Sequence, residues 1–253
     1  MPLRPVVVVV PCYNEAARLQ PEAFIAFATQ HPDLRFVFVN DGSTDNTRRV
    51  LERLCQRDPG RFSAIDLANN GGKGEAVRRG MLAAFEGHPA VVGYWDADLA
   101  TPLSAILELV GQLETHPSVD MVIGTRVRLM GRAIHRRAAR HYVGRVFATA
   151  VSLVLGIPIY DTQCGAKVFR ATPTTAALFR APFLSHWIFD VEVIARRLDG
   201  FDARQRAAAD SVIIEYPLMA WRDVGGSKLR AGDFFVAVAD LVRIAVRYRL
   251  GLD

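Results

Sequence analysis

Residues Ala90 to Leu113 read AVVGYWDADLATPLSAILELVGQL. An apolar run, Ala90 to Trp95, stops at two carboxylates one residue apart, Asp96 and Asp98. Pro102 follows, and Leu103, Ile106, Leu107, Val110 and Leu113 then recur at helical spacing. A short continuous apolar run is what a strand buried on both faces requires, and a spaced stripe after a proline is what a helix start looks like. The local reading is strand, acidic loop, helix. Like charges this close raise each other's pKa, so the loop either faces a cation or is a solvated, capped turn.

Strands and helices alternate on either side as well. VVVVV (Val6 to Val10), LRFVFVN (Leu34 to Asn40), a weaker run from Phe62 to Leu67, and VDMVIG (Val119 to Gly124) read as further strands. Between them, Val50, Leu51 and Leu54 form one helical stripe, with Ser43 or Thr44 as its N-cap. Ala76, Val77, Met81, Ala84 and Phe85 form another. Strands alternating with helices of this size imply a mainly parallel, right-handed α/β sheet. Ligands of such sheets bind beyond the carboxyl ends of the strands. After Gly124 the alternation stops. A basic stretch leads into Val146 to Tyr160, which carries no charge and is read as one core or interfacial helix. It is shorter than the roughly 18 residues needed to span a bilayer. A helix around Phe189 to Leu198, a strand from Ser211 to Leu218 and a final helix from Asp233 to Leu250 complete the pattern. There is no internal repeat.

The chain has 253 residues, 51% of them hydrophobic and 23% charged, which is globular composition and excludes a disordered chain. It has room for one large domain or two small ones. Five valines followed by a polar Cys-Tyr-Asn-Glu are no secretory signal. Cys12, Cys55 and Cys164 lie far apart and form no CxxC, so a reducing compartment is expected and a structural zinc is not. The charge is uneven. No acidic residue lies between Asp120 and Asp161, a segment holding Arg126, Arg128, Arg132, Arg136, Arg137, Arg140 and Arg145. Without those seven, a chain of formal net charge +5 would be slightly acidic. The basicity belongs to one segment and not to a nucleic-acid-binding surface; a solvated helix face is the bland alternative.

Four loops leave one edge of the sheet: PCYNEAARL (Pro11 to Leu19), NDGSTDNT (Asn40 to Thr47), NNGGKGEAVRRG (Asn69 to Gly80) and DADLATP (Asp96 to Pro102). Asp41 ends a strand where a carboxylate can accept hydrogen bonds from a base or ribose. The glycine-rich third loop sets Lys73 at a helix start, an anion site. It is not a dinucleotide fingerprint, because Val77 stands where the last glycine is needed, and no Walker A sequence exists. Each loop alone consists of ordinary turn residues; their coincidence at one edge is the signal.

VVPCYNEAARL, VNDGSTDNT, NGGKGEAVRRGM and DADLATP, in this order and spacing, resemble the family 2 glycosyltransferases of the GT-A fold. DTQCGAKVF (Asp161 to Phe169), HWIFDVEVIARRL (His186 to Leu198) and GGSKL resemble its branch of polyprenyl- and dolichyl-phosphate sugar synthases, the dolichyl-phosphate β-glucosyltransferases above all. The resemblance runs from Val6 to about Leu250. It implies a single domain, 1–253, with a mainly parallel Rossmann-like sheet flanked by helices and a C-terminal interfacial, amphipathic helical part. Residues 1–125 would be the nucleotide-sugar half and 126–253 the acceptor half.

It implies in turn that Asp96 and Asp98 face a divalent metal, Mg²⁺ or Mn²⁺, on the diphosphate of a UDP-sugar, with Asp98 the direct ligand. Related mannose synthases can carry a glutamine ligand two residues after the second aspartate; Ala100 stands there here. Pro11, Tyr13 and Glu15 would border the uridine and Asp41 the uracil edge, with Lys73 and Ala97 beside the nucleotide. Arg222, Ser227 and Lys228 would close over the diphosphate. Arg126 and Arg140 would grip the acceptor phosphate, and Asp161 would position or activate the nucleophile.

The expected reaction is an inverting transfer of a hexose, glucose favoured, from a UDP-sugar to polyprenyl or dolichyl phosphate. The expected partners are those substrates, a membrane surface and a membrane protein supplying an anchor, with no nucleic acid. The expected place is the cytoplasmic face of a membrane. The alternatives are a GDP-mannose-dependent mannosyltransferase, a family 2 enzyme with a non-lipid acceptor, and a non-catalytic nucleotide-sugar-binding module. A phosphatase of the Asp-x-Asp-x-Thr type is excluded, since its aspartates follow the first strand and its threonine would replace Ala100.

Overall fold

The structure, a computed structural model, describes residues 2–135, 138–224 and 233–249, with side chains for all of these except 138–143 and 233–235. Its elements run β1 (Val6–Cys12), α1 (Pro21–Gln30), β2 (Leu34–Asp41), α2 (Thr47–Arg57), β3 (Phe62–Leu67), α3 (Lys73–Glu86), β4 (Val91–Trp95), α4 (Ala105–Thr115), β5 (Met121–Thr125), β6 (Ala133–His135), α5 (Ala138–Leu155), β7 (Ala166–Arg170), α6 (Pro173–Ala177), α7 (Phe189–Arg197), α8 (Ala203–Ala207), β8 (Ile213–Pro217), β9 (Ala220–Arg222) and α9 (Asp233–Arg249). The main sheet has the order β3-β2-β1-β4-β7-β5-β8, and β6 pairs with β9 in a small second sheet. All pairings in the main sheet are parallel except those of β7, which runs antiparallel to both neighbours.

The five valines show why the sheet is buried on both faces. Side chains alternate along a strand. Val6, Val8 and Val10 therefore join one core with α1, α2 and α4, while Val7 and Val9 join the other with α3, α5, α7 and α9. In the first core Phe24 of α1 stands edge-on to Phe36 and Phe38 of β2, each at 5.1 Å between ring centroids. In the second, Gly80 lets α3 lie against β1 and β2, because a Cβ there would overlap Val9 and come within 2.7 Å of Val39. These contacts fix where β1, β2 and β4 end, and so where the loops between them converge.

The structure departs from the sequence reading in several places. α1, β6, β7, α6, α8 and β9 are additions to it: β7 is a short run broken by Lys167, which interrupts its apolar stretch. α2 begins at Thr47, and neither Ser43 nor Thr44 caps it. Ser43 Oγ instead accepts from the Asn14 backbone N at 3.0 Å, and Asn14 Oδ1 accepts from Thr44 N at 2.9 Å, so the first two loops are tied together. Val146 to Tyr160 is not one helix. α5 starts inside the basic stretch and stops at Leu155, because Gly156 takes a left-handed φ of 67° and Pro158 follows. Beyond it Ile157 and Ile159 turn into the core. Among the described residues no helix is long and apolar enough to cross a membrane.

Candidate active site

β4 delivers Asp96 directly from a buried strand end, and β7 arrives beside it from the opposite direction. Trp95 is in register with Ala166, so the start of β7 and the preceding residues 161–165 lie at the same edge as the ends of the parallel strands. Asp96 N donates to Gly165 O at 3.1 Å. A side chain at 165 would overlap the Asp96 carboxylate, so only glycine allows this approach. Trp95 Nε1 donates to Thr101 O at 2.9 Å and Ala100 N donates to Asp98 Oδ1 at 3.0 Å, which close the acidic loop on itself. Leu99 at its turn takes a φ of 52°.

The charges in the loop are unequal. Lys73 Nζ, at the start of α3, lies 2.6 Å from Asp96 Oδ1. Burial alone would depress the Lys73 ammonium, but Asp96, Asp190 and Asp98 outweigh it and hold the group protonated well above its usual range. For Asp96, burial raises the carboxyl, and Lys73, Arg126 and Lys167 overcome that and lower it. Asp98 is pushed up, by burial first and then by the Asp96 charge, with Arg18 and Lys73 opposing only in part. The loop therefore carries one compensated carboxylate and one that a further cation would relieve.

Around it stand the residues expected to meet the nucleotide. Asp41 is almost fully buried, and its two carboxylate oxygens accept from Gly71 N at 2.8 Å and Gly72 N at 2.9 Å. Burial raises its pKa despite these bonds. Asp41 is thus the clasp of the glycine-rich loop as well as the strand end expected at the uracil edge. Gly72 has a φ of 85°, and His186 Nδ1 sits 2.7 Å from Gly71 O. Glu15 N donates to Thr47 Oγ1 at 2.7 Å, and the Glu15 carboxylate holds Arg18, whose Nε donates to it at 2.8 Å. Pro11 and Tyr13 are half-buried at the end of β1, and Ala97 is buried between the aspartates. Arg222 is exposed, with its backbone N on Ala100 O at 3.0 Å. Ser227, Lys228 and the side chain of Arg140 lie outside the described residues.

Arg126 and Asp161, assigned separate roles from the sequence, are partners. Arg126 Nε and Nη2 donate to the two Asp161 oxygens at 2.7 Å each, and Arg126 N adds a third bond at 3.1 Å. Its guanidinium lies over the Trp221 ring at 5.3 Å. Glu215 of β8 accepts from Tyr160 N at 2.7 Å and Asp161 N at 2.8 Å, which sets the turn carrying Asp161. Glu215 itself is raised by burial.

Sequence reasoning missed Arg18, Gly165, Glu215 and a charged group beneath the site. Lys167 is completely buried and pairs with Asp190 of α7; its Nζ also donates to Cys164 O at 2.6 Å, and Tyr94 Oη donates to Asp190 Oδ1 at 2.6 Å. Part of the signal was present: a lysine within AKVF, and Asp190 and Glu192 set among the apolar residues of IFDVEV, are charges in stretches otherwise suited to burial, although the pairing of Lys167 with Asp190 is not encoded locally.

Among the described residues there is no group of three or more His, Cys, Asp or Glu able to hold a metal alone. Asp96 and Asp98 still fit a hard divalent cation whose other ligands are diphosphate oxygens and water, since all donors are oxygen and Asp98 lacks full compensation. A strand-end carboxylate pair, a lysine and glycines at a helix start, and an Arg–Asp pair on one sheet edge suit a phosphorylated, nucleotide-bearing substrate.

Comparison with known proteins agrees. The dolichyl-phosphate beta-glucosyltransferase of Saccharomyces cerevisiae is 33% identical, over 97% of this chain and 75% of that protein. The human dolichyl-phosphate beta-glucosyltransferase is 29% identical, over 99% of this chain and 78% of its own. Glucosyl-3-phosphoglycerate synthase of Mycobacterium tuberculosis, solved with Mn²⁺, uridine diphosphate and glucosyl-3-phosphoglycerate, shares the fold with a TM-score of 0.66 at 18% identity, over 99% of this chain and 81% of that one. Residues 7–183, which carry all four loops and the Gly165 contact, match the family described as Glycosyl transferase family 2, and the chain belongs to that family.

Proposed function

We propose that the chain transfers glucose from UDP-glucose to a polyprenyl or dolichyl phosphate, inverting it from α to β. The observation that carries this reading is the pairing of two charged clusters at one sheet edge. Lys73, Asp96 and Asp98 suit the donor diphosphate, and Arg126 with Asp161 suits an anionic acceptor. Named relatives that act on dolichyl phosphate support the choice of acceptor.

In this reading Asp41, Glu15, Pro11 and Tyr13 border the uridine, and the Asp41 clasp shapes the glycine-rich loop against it. Asp96 and Asp98 would hold Mg²⁺ or Mn²⁺, which supplies Lewis-acid neutralisation of the departing diphosphate. Lys73 fixes Asp96 in place and adds positive charge beside the leaving group. Arg222 borders the donor from the other side. A phosphate monoester with a second pKa near ~6 is already largely ionised at neutral pH, so no strong general base is required. Asp161 then acts by orienting Arg126. The guanidinium has five N–H donors and its Nε–Nη2 edge is taken, so the acceptor phosphate meets its other edge, with Arg140 as second contact.

The membrane surface is part of the same proposal. Met130 is fully exposed at 103% and Leu129 half so, on the segment after Arg126. Val146 and Leu153, one face of α5, and Val236 and Val242 of α9 are also bare. Apolar faces beside arginines suit an anionic cytoplasmic leaflet, with a membrane protein as a further anchor.

The test is incubation with labelled UDP-glucose and a panel of polyprenyl phosphate, phosphoglycerate and no acceptor, with Mn²⁺, Mg²⁺ or EDTA. The expected result is a glucolipid formed with metal, lost in EDTA and lost in Asp98→Asn. Labelled product only on phosphoglycerate, or full activity in EDTA, would overturn it.

A further inference from the structure

A sizeable cavity borders the acidic loop on the side away from Lys73 and the glycine-rich loop. It is an open groove of about 530 Å³ on the α1 side of the acidic loop, within the range of about 300–1,000 Å³ usual for small-ligand sites. Ala23, Ala26 and Phe27, spaced to share one face of α1, form one wall. Leu99, Pro102 and Leu103 form the wall opposite. The small β6–β9 sheet closes the end with Trp221, while His135 and Arg222, both exposed, stand at the rim.

We propose that this groove holds the first isoprene units of the polyprenyl phosphate acceptor. The inference rests on the acceptor reading above and adds where the tail lies. Three observations carry it. The groove is continuous with the chemistry: Leu99 and Ala100 line it, and Ala100 N is the donor to Asp98 Oδ1 at 3.0 Å. Trp221 lines it and also carries the Arg126 guanidinium on its ring, so one side chain joins the groove to the Arg126–Asp161 pair. The lining is mainly apolar, with Gln20 and Gln30 its uncharged polar members, where a uridine diphosphate is polar, so the donor is the wrong occupant.

The rim supplies the remaining choice. Arg126, held on the far side of Trp221 with its Nε–Nη2 edge on Asp161, offers its remaining N–H donors to a charged head, and Arg222 stands at the mouth between donor and groove, which matches an apolar chain that ends in a negative charge better than a neutral lipid. Ala100 contributes to the fit, since a longer side chain at this lining position would reach into the groove. The bare residues of α5 and α9 are not part of this groove. They are helix faces and suit contact with a bilayer plane, so the head and first units enter the groove while the rest of the chain stays in the membrane.

The test fills the groove from two walls. Ala26→Trp and Ala133→Trp each place a large ring in it, at exposed positions that can accept one. Transfer is measured to phosphates of one isoprene unit and upward, with UDP affinity and melting temperature as controls. For the wild type, kcat/KM should rise with chain length. In both variants transfer to long acceptors should fall about tenfold or more, as expected for lost contacts in an apolar pocket. The single-unit acceptor should change little, so the dependence on length flattens.

A polyprenyl phosphate ending in a photoreactive benzophenone gives a second readout. Its crosslinks should fall on the peptides of Phe27 or Leu103. Unchanged length dependence in both variants, or crosslinks confined to α5 and α9, would overturn the groove assignment while leaving the transferase reading intact. A wild-type protein that glucosylates no polyprenyl phosphate of any length would overturn both.

Discussion

Gly165 has no room for a methyl group, because Asp96 occupies the space where its Cβ would be. An aspartate carboxylate is too short to swing aside and keep Lys73 at 2.6 Å. Gly165→Ala should therefore lower kcat/KM for transfer by at least about tenfold, one broken charge-assisted contact, with little change in melting temperature. A variant as active as wild type would mean that Asp96 can work from another position. Asp41 makes the parallel case for the donor side. Its two oxygens each hold one glycine N–H, and Asn can accept only one of them. Asp41→Asn should weaken UDP binding about tenfold, the worth of one hydrogen bond to a charged group. Calorimetry showing unchanged affinity would move the uracil pocket elsewhere.

At the scale of elements, β7 is the piece that turns a parallel sheet into this site. Running antiparallel between β4 and β5, it brings residues 161–165 to the edge where parallel strands end. Lys167 within it is fully buried against Asp190 of α7. Breaking a buried pair strands the remaining charge, so Lys167→Met should cost about 3–5 kcal/mol in urea unfolding. Adding Asp190→Asn, which keeps an acceptor for Tyr94 Oη, should return part of that loss. Strict additivity of the two substitutions would show that the pair is not coupled. The same strand marks where reading the sequence stopped. β1, β4 and β5 were legible because strands buried on both faces are near-continuous apolar runs, and α3 and α4 because their stripes are clean. β2 and the weaker edge strand β3 were less so, because Arg35, Ser63 and Asp66 interrupt them. β7 was not, because its lysine is neutralised by a residue in another element, a partnership no local period encodes. The four loops could be placed at one edge from topology alone. That Arg126 and Asp161 face each other, and that Asp41 clasps Gly71 and Gly72, depends on side-chain reach across elements and had no signature in spacing. The expected single helix from Val146 to Tyr160 failed for a local reason, Gly156 with a left-handed φ followed by Pro158.

For the molecule as a whole, the loops after β1 and β2, proposed to meet the donor, and Arg126, which opens the basic segment after β5, lie at different parts of one sheet edge, with Asp96 and Asp98 after β4 between them. This division predicts that membrane attachment and donor binding separate. Leu129→Asp with Met130→Asp should reduce flotation with anionic vesicles several-fold, as expected when exposed apolar contact is replaced by like-signed charge, and should leave UDP affinity unchanged. Added salt should weaken the wild-type attachment, since exposed charges are screened. Flotation indifferent to both would remove the 126–135 segment from the membrane surface. The central claim is that the two charged clusters form one transferase site in which a lipid phosphate displaces UDP from the anomeric carbon in line. It is tested most directly by proton and phosphorus NMR of the lipid product made from UDP-glucose and polyprenyl phosphate with Mn²⁺. A glucose joined through its anomeric carbon to the lipid phosphate in the β configuration is the predicted result; an α-linked product, or UDP release with free glucose and no glucolipid, would contradict it.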